Sequence, residues 1–293
     1  MPSPSSLRHS DPMTSTPIGD LLRVPTGPVD LTAYDANGRP GFDGGKKDGA
    51  KALPAMAGQL ADLQEKLYAN AYGDGAQRSV LLVLQGMDTS GKGGVLAHCV
   101  GIFNPSGVRI KSFKKPTPEE LDRDFLWRVE KEVPPAGVIG IFDRSHYEDV
   151  LVVRVHKLAP TEEIERRYGA INAFEKRLVD AGTLVVKCML HLSYDEQRTR
   201  LEARLDDPTK RWKYRPGDVD ERRLWPAYQR AYETALERCN TEHAPWHVVP
   251  SDRKWYRNWA VGSLLGEALG GMGLEWPTGD FDVATEKARL AAT

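Results

Sequence analysis

Residues 80–94, VLLVLQGMDTSGKGG, place a short apolar strand directly before a glycine-rich turn that ends in Gly91-Lys92-Gly93. Glycines let backbone N–H groups approach an anion closely. The helix that follows adds the positive end of its dipole, and a lysine ammonium can reach the outer phosphates. Gly86, Gly91 and Lys92 fit the spacing G-x-x-x-x-G-K, and Thr89, Ser90 and Gly93 complete the turn expected to wrap phosphate. The usual next residue is Ser or Thr, whose hydroxyl ligates magnesium. Here it is Gly93, so the expected substitute is Asp88, a carboxylate inside the loop.

A second acid, Asp143, ends the apolar strand VIGIF, where an acid commonly anchors a metal after such a loop. Asp88 and Asp143 are expected to share magnesium, with manganese as its substitute. Arg144 follows, and its rigid fork suits two phosphate oxygens or, alternatively, a structural pair with Glu148. Residues 204–223, RLDDPTKRWKYRPGDVDERR, interleave cations with Pro, Gly and aromatic residues, as a lid would. Hinged by Pro208 and Pro216, it could swing Arg204, Lys210, Arg211 and Lys213 over a polyanion and expel water. The competing reading is a surface loop whose cations pair with Asp206, Asp207, Asp218, Asp220 and Glu221. Arg109, Lys111, Lys114 and Lys115 form an acid-free strip suited to docking an anion, or a solvated face. The seven histidines fall in no metal spacing; His146, beside the Asp143 tip, is expected to pack or cap. With no activated nucleophile, the chemistry reads as positioning plus electrostatics, a direct in-line transfer.

The elements that must hold these residues alternate along the chain. Strands are predicted at Ser79 to Leu84, Val108 to Phe113, Val138 to Phe142, Leu184 to Leu190 and His247 to Val249. Helices are predicted at Pro54 to Tyr72, Gly93 to Phe103, Pro118 to Val133, Thr161 to Ala181, Tyr194 to Leu205, Asp220 to Cys239 and Lys254 to Leu269. In the sixth, Leu224, Tyr228, Ala231, Tyr232 and Ala235 share a face that reads as core. The order implies an α/β fold, a three-layer α/β/α sandwich on a five-stranded parallel sheet with a helical lid, and phosphate at the carboxyl ends of the strands. Residues 1–50 read as a low-complexity, partly flexible extension in which only Ile18 to Val24 can pack. Residues 51–275 form the phosphotransferase domain and 276–293 a tail.

Forty Lys and Arg against 41 Asp and Glu leave a net charge of −1, which argues against a general nucleic-acid binder. Three scattered cysteines give neither a zinc site nor a disulfide framework and suit a reducing cytoplasm. No apolar run approaches the ~20 residues of a membrane span, and residues 1–17 lack the core of a secretory signal.

With these segments in hand, the chain resembles the second family of polyphosphate kinases. The resemblance rests on GMDTSGKGG, SFKKPTPEELDRDFLWR, FDRSHYEDVLVVRVH, DPTKRWKYRPGDVDERRLWPAY and APWHVVPSDRKWYRN, in order over roughly residues 50 to 270. It implies a single-domain enzyme that moves phosphoryl groups between inorganic polyphosphate and purine nucleotides, forming dimers or tetramers. It also implies a catalytic set of Asp88, Lys92, Asp143, Arg144 and Arg204, and phosphate contacts that include Arg154 beside the residues above. FDRSHYEDVLVVRVH looks most like the class that phosphorylates AMP as well as ADP. The chain departs from the family's lid at Trp212-Lys213-Tyr214-Arg215, where Arg215 replaces the usual Ser or Asn. An ATP-dependent small-molecule kinase and a non-catalytic phosphate or nucleotide sensor are the alternatives.

Overall fold

A computed structural model describes residues 16–73 and 75–293. Five strands, β1 (Ser79–Gln85), β2 (Val108–Ser112), β3 (Ile139–Asp143), β4 (Thr183–His191) and β5 (Trp246–Pro250), form one parallel sheet in the order β2-β3-β1-β4-β5. All five fall where the sequence predicts them, shifted by a residue or two at the ends. Central β1 is buried along its whole length because both faces are covered. Its pairings Leu84↔Asp143 and Gln85↔Met189 bring the carboxyl ends of three strands level.

The chain's helices, in order, begin with α1 (Ile18–Leu22), α2 (Lys46–Gly73), α3 (Lys92–His98), α4 (Pro118–Leu121), α5 (Trp127–Glu130) and α6 (Val152–Val155). They continue with α7 (Thr161–Asp180), α8 (Tyr194–Asp206), α9 (Gly217–Arg223), α10 (Trp225–Arg238), α11 (Lys254–Gly270) and α12 (Val283–Ala291). Side chains alternate across β1: Val80, Leu82 and Leu84 pack with α2, α3 and α11, while Leu81 and Val83 share the core of α7 and α10. None of these helices is long and apolar enough to cross a membrane.

Four predicted helices differ from those observed. The first starts at Lys46 and carries Pro54 in its interior. Tertiary packing overrides the proline there, with Leu53 buried and Gly49 lying so close to the Trp255 ring that a side chain would collide. The helix after the loop stops at His98 and tightens into a 3-10 turn, Val100–Ile102. The stretch 118–133 breaks into α4 and α5, because Asp124 turns the chain by accepting the Leu126 N–H. The stretch 220–239 splits at Leu224, and Pro226 sits in the first turn of α10, where its missing N–H costs nothing.

Residues 16–45 pack on the sheet edge and α11. Ile18 and Leu22 are buried, Glu267 accepts the Ile18 N–H, Arg23 bridges His247, and Tyr256 donates to Pro40 O. Of the extension expected to be partly flexible over residues 1–50, residues 1–15 lie outside the described residues, and packing is not confined to residues 18–24, since Leu31 and Ala36 are buried as well. At the other end α12 buries none of its side chains.

One polar cluster crosses the α7/α10 core. Lys187 of β4, fully buried, donates to Glu175 Oε2 (2.6 Å), Tyr147 OH (2.9 Å) and Cys239 O (2.7 Å). Tyr147 OH and His146 Nε2 reach Glu175 Oε1 at 2.8 and 3.1 Å, so the network roots the turn just after β3. Burial would raise the Glu175 pKa, but Lys187 and His146 outweigh it and hold the carboxyl below its ordinary value. Glu175→Gln should therefore cost about 3–5 kcal/mol at pH 7 by leaving a buried ammonium unpaired. A depressed carboxyl pKa gives stability that is present above the usual glutamate range and lost as pH falls through the folded value, so the gap to wild type should close in acid. Urea unfolding at several pH values measures this, and Glu175→Leu with Lys187→Met should be milder than Glu175→Gln alone.

Candidate active site

The loop that follows β1 needs its glycines. Gly91 has φ +104°, and Gly86 sits where a Cβ would lie 2.8 Å from Leu190 O. Thr89 also adopts a left-handed φ of 64°, a strained setting of the kind that gathers at functional sites. The Thr89 and Ser90 hydroxyl oxygens are buried without a hydrogen-bond partner, as befits a cradle whose ligand supplies one. Lys92 Nζ donates to Gly86 O (2.8 Å) across the mouth of the loop. A Cβ at Gly93 would meet nothing within 4 Å, so the missing hydroxyl there is not forced by packing.

Beside the loop, β3 delivers Asp143 and Arg144. Asp143 accepts from Ser112 Oγ (3.0 Å), and the Arg144 N–H bonds Leu84 O (3.1 Å) to lock the tip against β1. Arg144 also has a left-handed φ, 62°. Lys92 and Arg144 share one set of acids. Burial and then Arg144 lower the Lys92 pKa, while Asp143, Glu148 and Asp88 oppose them. Burial also works against the charge on Arg144, yet Glu148, Tyr232, Asp143 and Asp88 hold its pKa above the usual value. The structure thus brings Asp88, Lys92, Asp143 and Arg144 into one charge cluster.

Glu148 belongs to the same cluster. The sequence offered it only as a partner for Arg144, yet it also faces Lys92 and, with the Gln85 amide suitably turned, accepts from Gln85 Nε2 at 3.0 Å. Tyr232, read as part of a core stripe, is buried as expected, and its ring also reaches the vicinity of Arg144 and Glu148. Neither role has a sequence signal, because both depend on α10 and the turn after β3 meeting on one face of the sheet.

Arg204, near the end of α8, closes the cluster from above. Its fork spans the Asp88 carboxylate at 2.8 and 3.4 Å and also reaches Lys213 O (3.3 Å) and Asp218 (3.6 Å). The lid cations are exposed and divide between the two readings. Lys210 pairs with Asp207 and Arg211 donates to Leu205 O, whereas Lys213 has no carboxylate partner among the described residues and lies 5.0 Å over the exposed Trp212 ring. Lys114 and Lys115 are exposed and unpaired among the described residues, while Lys111 of the same strip is bound to Glu132. Arg154 pairs with Glu165 (2.6 Å) over Tyr168. His146 is wholly enclosed in the Glu175 network.

Among the described residues no group of three His, Cys, Asp or Glu side chains could hold a metal by itself. Two carboxylates, Asp88 within the loop and Asp143 at the adjacent tip of β3, belong to the cluster. That donor set fits a hard divalent ion such as magnesium, which keeps water and takes further oxygens from phosphate.

A family model described as Polyphosphate kinase 2 matches residues 44–273. The AMP/ADP-polyphosphate phosphotransferase of Meiothermus ruber is 48% identical over 263 residues, covering 90% of this chain and 96% of the relative. The ADP-polyphosphate phosphotransferase of Rhodopseudomonas palustris is 38% identical over 261 residues, covering 85% and 88%. The crystal structure of Polyphosphate Kinase 2 from Arthrobacter aurescens TC1 superposes with a TM-score of 0.93 at 52% identity, over 95% of this chain and 98% of that one.

Glu148 gives a test of the cluster. Burial is the largest influence on its carboxyl and raises its pKa; Arg144 and Lys92 only partly offset it. A raised carboxyl pKa means that the ionised form opposes folding above that value, so Glu148→Gln should hold or raise the melting temperature at pH 7.5. The gain should vanish as pH falls and wild type protonates. Activity should drop about ten-fold or more, because Lys92 and Arg144 lose their shared acceptor. A variant that melts earlier but turns over normally would place Glu148 outside the site.

Proposed function

The chain belongs to the polyphosphate kinase 2 family, and on that premise we propose that it transfers the terminal phosphoryl group of inorganic polyphosphate to ADP and AMP, reversibly. The observation that carries this reading is the convergence of Asp88, Lys92, Asp143 and Arg144 at the ends of β1 and β3, with Arg204 descending onto Asp88. Acceptance of AMP is supported by the Meiothermus ruber relative, whose name includes both AMP and ADP.

Backbone N–H groups of the loop and Lys92 bind the phosphate to be moved, and Arg144 neutralises oxygens beside it. The Arg204 fork, which now holds Asp88, exchanges that carboxylate for the phosphoryl group in flight and frees Asp88. A magnesium ion held by Asp88 and Asp143 would supply further neutralisation of phosphate oxygens when bound. The direct, in-line character of the transfer is supported by His146, the histidine nearest the tip, which is fully buried and engaged with Glu175. Three buried free cysteines support a reducing, cytoplasmic setting, and the family's habit supports a dimer or tetramer.

Incubation with magnesium, long-chain polyphosphate and AMP, ADP or GDP in turn, followed by chromatography, tests the activity. We expect ATP from ADP, and ADP and ATP from AMP; strict dependence on ATP as donor would overturn the assignment. Asp88→Asn should lose about two to three powers of ten in rate with the fold intact, the size of an electrostatic contribution made in the transition state.

The lid makes a separate expectation. Arg204→Ala should lower kcat more than it weakens polyphosphate binding. Lys213→Ala should instead raise KM for polyphosphate, with a smaller defect at high salt. Equal KM for wild type and Lys213→Ala at low salt would remove Lys213 from chain binding.

A further inference from the structure

The loop is gripped from behind by two helices. Gln197 Nε2 donates to Asp88 O (3.0 Å), Arg200 Nη1 to Thr89 O (2.8 Å) and Ser90 O (3.3 Å), and Arg257 Nη1 to Ser90 O (3.2 Å). Three successive carbonyls are thus held on one side. A trans peptide points its C=O and N–H in opposite directions. Drawing the Asp88 and Ser90 carbonyls inward therefore turns the Thr89 and Gly91 N–H groups outward, and neither has an acceptor among the described residues.

All three side chains are more than nine-tenths buried. Arg200 is neutralised by Glu196 (2.8 Å), but Arg257 bonds only Ser90 O and the Asn258 side chain, with no carboxylate partner among the described residues. Burial and the neighbouring Arg200 pull the Arg257 pKa down to about 10. A buried, unpaired guanidinium costs stability and invites an anion nearby. It lies against the loop so closely that a Cβ at Gly91 or Gly94 would overlap it.

Gln197, Arg200 and Arg204 recur at intervals of three and four, so one stripe of α8 touches the backbone of residues 88–90 and the Asp88 carboxylate. We propose that Gln197, Arg200 and Arg257 are positioning residues for phosphoryl transfer. They aim the loop's N–H groups at the phosphate and set the register that brings Arg204 to it, an inference that rests on the phosphotransfer reading of the loop. Arg257 adds an uncompensated positive charge beneath the bound anion.

The test compares Arg257→Met and Arg257→Lys with wild type and with Arg198→Ala, an exposed arginine on α8 that makes no contact with the loop. Melting temperature, calorimetric affinity for tripolyphosphate, and kcat are read together. Arg257→Met should melt at or above wild type, since it removes a buried unpaired charge. Its tripolyphosphate affinity should fall about ten-fold and kcat about a hundred-fold, as for loss of preorganised donors. Arg257→Lys should recover much of the affinity through its charge but little of kcat, because it lacks the fork. Wild-type affinity in Arg257→Met overturns the proposal, as does wild-type kcat in Arg257→Lys, which carries the test should the methionine variant not fold. Absence of transfer from polyphosphate by wild type would overturn the functional reading instead, and the calorimetric comparison decides the clamp independently of turnover.

Discussion

Asp88 and Arg204 meet at 2.8 Å across the gap between the loop and the lid, and the site's electrostatics are organised around that meeting. Lys92 and Arg144 crowd the ends of adjacent strands and repel each other; Asp88 and Asp143 offset that repulsion, and Glu148 adds to the offset at a burial cost of its own. A polyanion entering this space competes with carboxylates for cations that are already assembled. The favourable charge at the strand ends is thus assembled in folding, so Lys92 and Arg144 need reorient little when an anion arrives, whereas Arg204 would have to release Asp88.

Holding that much charge at the end of a sheet demands rigidity beneath it. Central β1 is fully buried and the tips of β3 and β4 are level with it, so the loop and Asp143 hang from a common edge. The turn after β3 is tied down twice, by Arg144 N–H to Leu84 O and by the His146–Glu175–Lys187 network in the core. Behind the loop, Gln197, Arg200 and Arg257 do the same for the other side. By contrast, the lid between α8 and α9 is exposed, with Trp212 77% accessible, and hangs mainly on Arg204. Rigid base and loosely held lid are the division of labour that closure over a polymeric substrate requires.

Local sequence was sufficient for the strands, because four are short apolar runs and the fifth, β2 (VRIKS), is β-branched at alternate positions, and for the loop, because Gly86, Gly91 and Lys92 must be close in sequence to wrap one phosphate. It also sufficed for Asp143 and Arg144, which a strand end displays by construction. Helix limits were less legible: Pro54 argued for a boundary that packing against α11 overruled, and the segment 118–133 broke at a side-chain turn no periodicity marks. Arg154, offered as a phosphate contact by motif resemblance alone, pairs in the fold with Glu165, a partner that no local spacing marks.

The sequence alone determined the fold class, through the order of its elements, and a glycine-rich loop of phosphate-binding spacing, written in contiguous residues; the kinase family followed from the resemblance of five segments taken together. Tertiary structure alone decided which distant groups complete the site. Gln197, Arg200 and Arg257 lie more than a hundred residues from the loop they hold, and Glu148 and Tyr232 meet near Arg144 only because α10 packs over the turn after β3 on one face of the sheet. A side chain's charge is legible in the sequence, but its partner is fixed by distance, and distance between remote segments exists only once the chain has folded.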